Sequence, residues 1–318
     1  MIPGVSVIVP LYNKAPYIQR ALESIAAQTW RDFEVITVDD GSTDQGPVIA
    51  ASFADSRFRF VSQSNAGPGA ARNRGVREAQ GEWIAFLDAD DEWGPQYLEL
   101  GLQMARQSGD RAAAVTSGYW EYPAMVSSEP LWRGRGLKDG LFRLEPGTDP
   151  QLAVHALAFM CPPSTIVRKS VCLSAGGFYE QGCRYAEDAY LWLKVLVRQP
   201  VVFQLQPLIR VHTEASGLSN NFVRKTPVEP FLTDPGPILE DCPPELQPLL
   251  KRILALRAFK RACVLGYWGE FEAARSLRSR FRPPRPWEIP YYFPALLAGT
   301  RMAGWGGKLL REWKTGSR

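Results

Sequence analysis

The chain has 318 residues, of which 45% are apolar and 22% charged, and a formal net charge of +4. This is an ordinary globular composition with room for one large domain and an appendage, which excludes a disordered or fibrous chain. The apolar stretches are too short to span a bilayer. The five cysteines (Cys161, Cys172, Cys183, Cys242 and Cys263) are odd in number and none pair at metal-ligand spacing, so reduced thiols are expected.

Met1-Ile2-Pro3-Gly4 runs into the first strand without a basic or apolar leader, which predicts no secretory signal and a cytoplasmic protein. Val5–Pro10 reads as a strand, Leu11–Lys14 as a loop, and Ile18, Leu22 and Ile25 as the apolar face of a helix. Phe33–Val38 is a second strand ending in Asp39-Asp40-Gly41-Ser42-Thr43-Asp44. Arg59-Phe60-Val61 is a third, followed by Asn65–Gly69 and a helix from about Ala70. Trp83–Leu87 is a fourth, and it ends in Asp88-Ala89-Asp90-Asp91. Strands alternating with helices predict a parallel α/β half-domain whose polar loops share one sheet edge. Tyr12, Asn13, Asp39, Asp40, Asn65, Asp88 and Asp90 are therefore expected to converge where such sheets bind ligands.

An Asp-x-Asp pair there suits a hard divalent cation that also holds a diphosphate, although an acidic solvated turn has the same composition. Farther along, Ser127–Pro150 reads as a long loop and a candidate acceptor lid, and Cys161–Thr165 leads into a strand. Glu187-Asp188 precedes a helical pattern, where a carboxylate is stabilised as the anion by the helix dipole or caps the helix. His212 follows a strand-like run in Ile209-Arg210-Val211-His212; a lone histidine is more often structural than a ligand.

The charge is unevenly spread. Residues 250–318 hold 15 Lys and Arg against 4 Asp and Glu, while the preceding 249 hold 22 against 29. The Pro-rich stretch 226–248 reads as a linker between a region 1–225 and a basic helical region 249–318. That tail carries a helical pair, Leu249–Val264 and Glu270–Phe281. The cluster Tyr291-Tyr292-Phe293 follows, then Trp305 and Trp313 among Lys308, Arg311 and Lys314. Aromatics mixed with cations fit peripheral contact with an anionic membrane, and equally a basic helix packed on the fold. No nucleic-acid-binding motif accompanies the charge, so no nucleic-acid partner is expected.

Several of these stretches together resemble the family-two nucleotide-sugar glycosyltransferases. They are Ser6-Val7-Ile8-Val9-Pro10-Leu11-Tyr12-Asn13, Val38-Asp39-Asp40-Gly41-Ser42-Thr43-Asp44 and Gly69-Ala70-Ala71-Arg72-Asn73. Phe86-Leu87-Asp88-Ala89-Asp90-Asp91, Gly176-Gly177-Phe178 and Ala186-Glu187-Asp188-Ala189-Tyr190-Leu191-Trp192 complete the set. The resemblance covers roughly residues 4 to 215. It implies a GT-A (Rossmann-like) α/β fold: a mixed, mainly parallel sheet flanked by helices, here with a C-terminal helical extension. No Gly-x-Gly-x-x-Gly or Walker-type loop is present.

The resemblance also implies an inverting, metal-dependent transfer from a nucleoside diphosphate sugar, with UDP the expected nucleotide, to a glycan or lipid-linked acceptor. Pro10, Tyr12 and Asn13 would line the base and ribose pocket, and Asp40, with Asp39, would read the base. Asn65, Arg72 and Asn73 would meet the diphosphate, Asp88 the ribose or metal, and Asp90 the metal, as Mn²⁺ or Mg²⁺. Asp188 would be the general base, and His212 would complete the metal shell or contact the diphosphate. Two other readings are a non-catalytic nucleotide-sugar binding subunit and a sugar-phosphate nucleotidyltransferase. The second needs a Gly-rich basic loop after the first strand, which Pro10-Leu11-Tyr12-Asn13-Lys14 does not supply.

Overall fold

The computed structural model describes residues 3–183, 185–215, 225–283, 290, 292–298 and 300. The chain divides into two compact units, Met1–Leu144 with His155–Gly217 and Glu145–Val154 with Leu218–Arg318.

The first unit is built on a run of β-branched residues. Strand β1 (Val5–Leu11) is buried along almost its whole length. It pairs in parallel with β2 (Phe33–Asp39) on one side and β4 (Trp83–Phe86) on the other. β3 (Phe58–Ser62) extends the parallel set beyond β2. Burial on both faces is what continuous apolar strands require of a parallel sheet. The remaining strands are β5 (Glu92–Trp93), β6 (Ala114–Tyr122), β7 (Val126–Ser127), β8 (Gly140–Phe142), β9 (Thr165–Arg168) and β10 (Val201–His212). The order is β3-β2-β1-β4-β9-β6-β10-β5, with β7 on β6 and β8 on β10. β9 runs antiparallel to both neighbours, β4 and β6, whereas β6 and β10 are parallel. The sheet is therefore mixed and mainly parallel, with helices on its faces.

Helix Ala15–Ala26 buries Ile18, Ala21, Leu22 and Ile25, the helical stripe expected from their spacing. Helix Pro68–Glu78 sits so close to β1 that a Cβ on Gly75 would lie 2.4 Å from Cγ2 of Ile8, so only glycine fits there. The helix packs on β1 and β2.

The Ser127–Pro150 stretch is not a plain loop. Trp132, on helix Glu129–Gly134, is buried against Phe159. β8 pairs with β10, and Asp139 Oδ1 accepts the Leu205 amide at 2.7 Å. A sequence rich in Gly, Arg and Pro hid one aromatic anchor and one acidic staple, which suffice to order it.

In the second unit, helix Gln247–Tyr267 packs with Phe271–Arg280 and Tyr292–Ala298. The Pro-rich stretch 226–248, expected as a linker, carries structure of its own. It forms helices Pro230–Thr233 and Gly236–Asp241, and Phe231, Leu232 and Ile238 are fully buried. Proline in the first helical turn sacrifices no hydrogen bond, so prolines here start helices. Buried Arg261 anchors the stretch through Thr226 Oγ1 at 3.0 Å and Glu229 Oε2 at 3.2 Å. Trp305, Trp313, Lys308, Arg311, Lys314 and Tyr291 lie outside the described residues. Among the described residues, no helix is long and apolar enough to cross a membrane.

Candidate active site

The C-terminal ends of β1, β2 and β4 gather the expected loops into one region. In the first loop Asn13 adopts a positive φ of 50°. Its Oδ1 accepts the Thr43 amide at 2.8 Å, and its own amide donates to Ser42 Oγ at 3.0 Å. These bonds tie the loop after β1 to the loop after β2. Tyr12 beside it is 46% exposed, which leaves its ring open to stacking. Pro10 is half-buried at the end of β1.

Asp39 and Asp40 are both buried, and they are used differently. Asp40 accepts from Gln63 Nε2 (2.8 Å), the Ala66 amide (2.8 Å) and the Gly67 amide (2.9 Å), while Asn65 Nδ2 donates to the Asp40 carbonyl. Its carboxylate is thus committed to shaping the loop that enters helix Pro68–Glu78. Asp39 gives Oδ1 to the Ser42 amide at 3.1 Å, a local turn contact. Of the two, Asp39 has the carboxylate less occupied by the protein.

The loop after β4 crowds Asp88, Asp90 and Asp91. Burial, then Asp88 and Asp90, hold the Asp91 carboxyl well above the usual carboxylate range, opposed by the His212 amide and Lys14. Each neighbour has a cation against it. Arg72 Nη2 meets Asp88 Oδ1 at 2.6 Å, and Lys14 Nζ meets Asp90 Oδ2 at 2.5 Å. Arg20 donates to the Asp90 carbonyl at 2.9 Å.

Arg72 is the hub of the site and is almost fully buried. Its second arm, Nη1, meets Glu187 Oε1 at 2.8 Å, and its guanidinium lies over the Phe178 ring. Burial alone would lower its pKa, but Asp88 and Glu187 outweigh that and hold it charged. Both arms are committed to carboxylates, so Arg72 joins the acidic loop to the start of helix Glu187–Arg198. Asn73 beside it also positions: Oδ1 accepts the Phe178 amide and Nδ2 donates to the Phe178 carbonyl, each at 2.8 Å. A Cβ on Gly177 (φ +73°) would lie 2.4 Å from Asn73 Oδ1, so this contact needs glycine twice over.

Ahead of Glu187, Ala186 sits in the left-handed region at φ 58°, an uncommon conformation for a side-chain-bearing residue and one that recurs at functional sites. Asp188 is half-buried in the first turn. Burial, then Glu187, push its carboxyl up to about 7 against the pull of Arg72. Cys161 feels the same carboxylates. Burial raises its thiol to about 12, Ser164 opposes this, and Asp188, Asp91 and Asp88 add to it.

His212 has both ring nitrogens on glutamates. It is buried, with Nε2 2.7 Å from Glu92 Oε1 and Nδ1 2.8 Å from Glu214 Oε1. Its backbone amide donates to Asp91 Oδ1 at 2.9 Å. Both ring nitrogens are engaged by carboxylates, and the residue meets the acidic loop only through its main chain. Sequence reading gave no role to Glu92, Glu214, Arg20 or Lys14. Lys14 had one legible signal, as a cation in the first loop facing an acidic loop on the adjacent strand.

The chemistry of the donors is that of a hard divalent cation, carboxylate oxygens from one short loop in which Asp88 and Asp90 act against the charge of Asp91. Among the described residues no three His, Cys, Asp or Glu side chains form a closed cage.

The family model described as "Glycosyl transferase family 2" matches residues 6–170. The chain is 31% identical over 218 residues to "Uncharacterized glycosyltransferase RT0329" of Rickettsia typhi, covering 66% of this chain and 64% of that one. It is 42% identical over 113 residues to the succinoglycan biosynthesis protein ExoO of Rhizobium meliloti, covering 35% and 32%. The chain thus spans about a third to two thirds of the length of such curated relatives. Among solved structures, S. aureus TarS 1-349 in complex with UDP-GlcNAc superposes with a TM-score of 0.68 at 18% identity, covering 98% of this chain and 92% of that one. The mannosyltransferase PcManGT of Pyrobaculum calidifontis, in complex with GDP-Man and Mn²⁺, gives 0.54 at 18% identity over 100% and 80%. At such identities the likeness speaks for the fold, which is the GT-A arrangement.

Proposed function

Because the chain belongs to glycosyl transferase family 2, we propose that it carries out an inverting, cation-dependent sugar transfer from a nucleoside diphosphate to an acceptor hydroxyl. The observation that carries this reading is the bridge Glu187–Arg72–Asp88. A single buried guanidinium holds the acidic loop and the Glu187-Asp188 turn in one register. One sugar can then be reached from the diphosphate side and from the Asp188 side.

In this reading the Tyr12 ring stacks on the base and Asp39 accepts from it, while Asp40 keeps the 63–67 loop in shape. A divalent cation at Asp90, when bound, neutralises charge that builds on the departing diphosphate. Asp188 takes the proton of the acceptor hydroxyl as its oxygen bonds to the anomeric carbon. The bond from that carbon to the diphosphate oxygen breaks, and its electron pair leaves with the diphosphate. Attack opposite the leaving group inverts the anomeric centre. An aspartate raised to about 7 is well matched to general-base work near neutrality.

UDP is the nucleotide proposed, in keeping with the UDP-GlcNAc complex of the TarS neighbour; GDP-Man in PcManGT makes a guanine nucleotide the second to try. The acceptor proposed is a glycan or a lipid-linked glycan, in line with the name of ExoO. Peripheral contact with an anionic membrane is proposed for the second unit. Helix Tyr292–Ala298 exposes Phe293 (75%), Leu296 and Leu297 at helical spacing, in a region rich in Lys and Arg.

Incubating the protein with a panel of UDP- and GDP-sugars in Mn²⁺ tests the reading. Release of nucleoside diphosphate at a catalytic rate from one donor, abolished by chelator, is expected. Nucleotide binding without any turnover, with or without acceptor glycans, would instead mark a binding subunit.

A further inference from the structure

Lys14 closes the first loop, immediately before helix Ala15–Ala26, and its side chain crosses to the acidic loop of β4. The ammonium has a three-sided seat. Asp90 Oδ2 lies 2.5 Å away, the Ala215 carbonyl accepts at 2.8 Å, and the Tyr17 ring centroid is 5.7 Å off. The side chains of Lys14 and Asp90 are 25% and 12% exposed, so this is a largely shielded pair. The neighbouring guanidiniums are committed elsewhere: Arg72 to Asp88 and Glu187, Arg20 to Glu92 and the Asp90 carbonyl. Among the described residues, Lys14 is thus the cation that neutralises the Asp90 carboxylate.

This arrangement sets up a conflict with any metal at Asp90. An ammonium held on Asp90 Oδ2 and a divalent cation would compete for the charge of one carboxylate. Two positive centres a few ångströms apart also repel strongly in a shielded site. Lys14 meets one carboxylate, at one point, whereas Arg72 is held by two, Asp88 and Glu187, so the Lys14 contact is the easier to exchange.

Building on the proposed metal role of Asp90, we propose that Lys14 is an internal counterion of the donor site. It neutralises Asp90 in the absence of ligand, is expelled when the divalent cation arrives, and then serves the phosphate oxygens of the donor. Expulsion deprives the ammonium of its anionic partner, and a bound diphosphate supplies another. The consequence is linkage: cation and nucleotide each bind weakly alone and strengthen one another, by the same factor in both directions. Lys14 therefore makes the apparent metal site depend on nucleotide.

The test measures Mn²⁺ affinity directly, by electron paramagnetic resonance of free Mn²⁺ and by calorimetry, in the full chain with and without UDP. Lys14→Met should bind Mn²⁺ about tenfold more tightly than the parent in the absence of UDP, and the strengthening of Mn²⁺ binding by UDP should shrink by a similar factor. Lys14→Arg, which keeps the charge, should retain the weak, UDP-dependent binding of the parent. Unchanged or weaker Mn²⁺ affinity in Lys14→Met, with Asp90→Ala still losing the metal, would overturn the counterion role and leave the metal site standing. UDP affinity that depends on Lys14 but not on Mn²⁺ would make Lys14 the permanent substitute for a metal and overturn the exchange. Absence of Mn²⁺ binding in parent and variants, even with UDP, would overturn both the exchange and the metal reading on which it rests.

Discussion

Two acidic pairs sit at the ends of parallel strands in this fold, and they are satisfied in opposite ways. Asp40, after β2, accepts two backbone amides and a glutamine side chain, all from residues 63–67. Asp88 and Asp90, after β4, are met by the side-chain cations Arg72 and Lys14, with Asp91 crowding them. A carboxylate held by backbone amides cannot leave without unmaking its loop. One held by a flexible cation can exchange partners. The first arrangement builds a wall of the site, and the second leaves a place for incoming charge.

The largest effect is expected outside both loops, at the group that the Arg72 bridge aligns with them. Asp188→Asn keeps the shape but cannot accept a proton, so transfer should fall by about 10²–10⁴-fold while UDP affinity is retained. Turnover within tenfold of the parent would detach Asp188 from the chemistry. Asp90→Ala should next remove the Mn²⁺-dependent part of UDP affinity, about 10²-fold, because the remaining carboxylates repel the diphosphate. Calorimetry with unchanged affinity would put the exchangeable site elsewhere.

Stability should reverse the ranking of the two loops. Asp40→Ala strands two amides and a side-chain donor, at about 1–3 kcal/mol for each buried group left unpaired, so a loss of about 3 kcal/mol is expected in denaturant titration. Asp90→Asn loses a largely shielded ion pair but keeps an acceptor for Lys14 and relieves repulsion from Asp88 and Asp91, so its cost should be smaller, about 1 kcal/mol. Equal destabilisation by both would erase the distinction between wall and exchange site. The smallest effect concerns the second unit. Co-sedimentation with vesicles containing anionic lipid should be measurable at low salt and fade as salt rises. Replacing Phe293 and Leu297 by Ser should weaken it further, and salt-independent binding would argue against the charge as its source.

What the sequence disclosed follows from range of interaction. The strands β1, β2 and β4 were legible because a strand buried on both faces must be apolar throughout, and their terminal acids were legible by position. Residue roles within the site were less so. Arg72 looked like a phosphate contact at a helix start, but its partners Asp88 and Glu187 are separated from it by 16 and 115 residues and nothing local encodes the second. Asp40 looked like the base reader because the loop that consumes its carboxylate lies after the next strand. The family resemblance gave His212 a place at the metal or the diphosphate; that two glutamates engage its ring was not legible, because Glu92 lies 120 residues away. Order in 127–150 depends on Trp132 finding Phe159, a contact invisible in a segment of turn-forming composition.

The central claim is that Asp188 is a base poised by its surroundings, and pH tests it most directly. Burial and Glu187 raise its carboxyl from 3.8 to about 7, so the folded state holds this proton more tightly than the unfolded chain does. The sign follows: the group's contribution to stability is present below its unfolded value and is lost as pH rises through about 7, while its capacity as a base grows over that same interval. The measurement is kcat/KM for the nucleotide-sugar donor from pH 5 to 9, at saturating Mn²⁺ and constant ionic strength. In the parent the rate should rise with pH to a plateau with a midpoint near 7, and the residual activity of Asp188→Asn should show no such limb. A parent profile flat across that range, or the same limb surviving in Asp188→Asn, would contradict it.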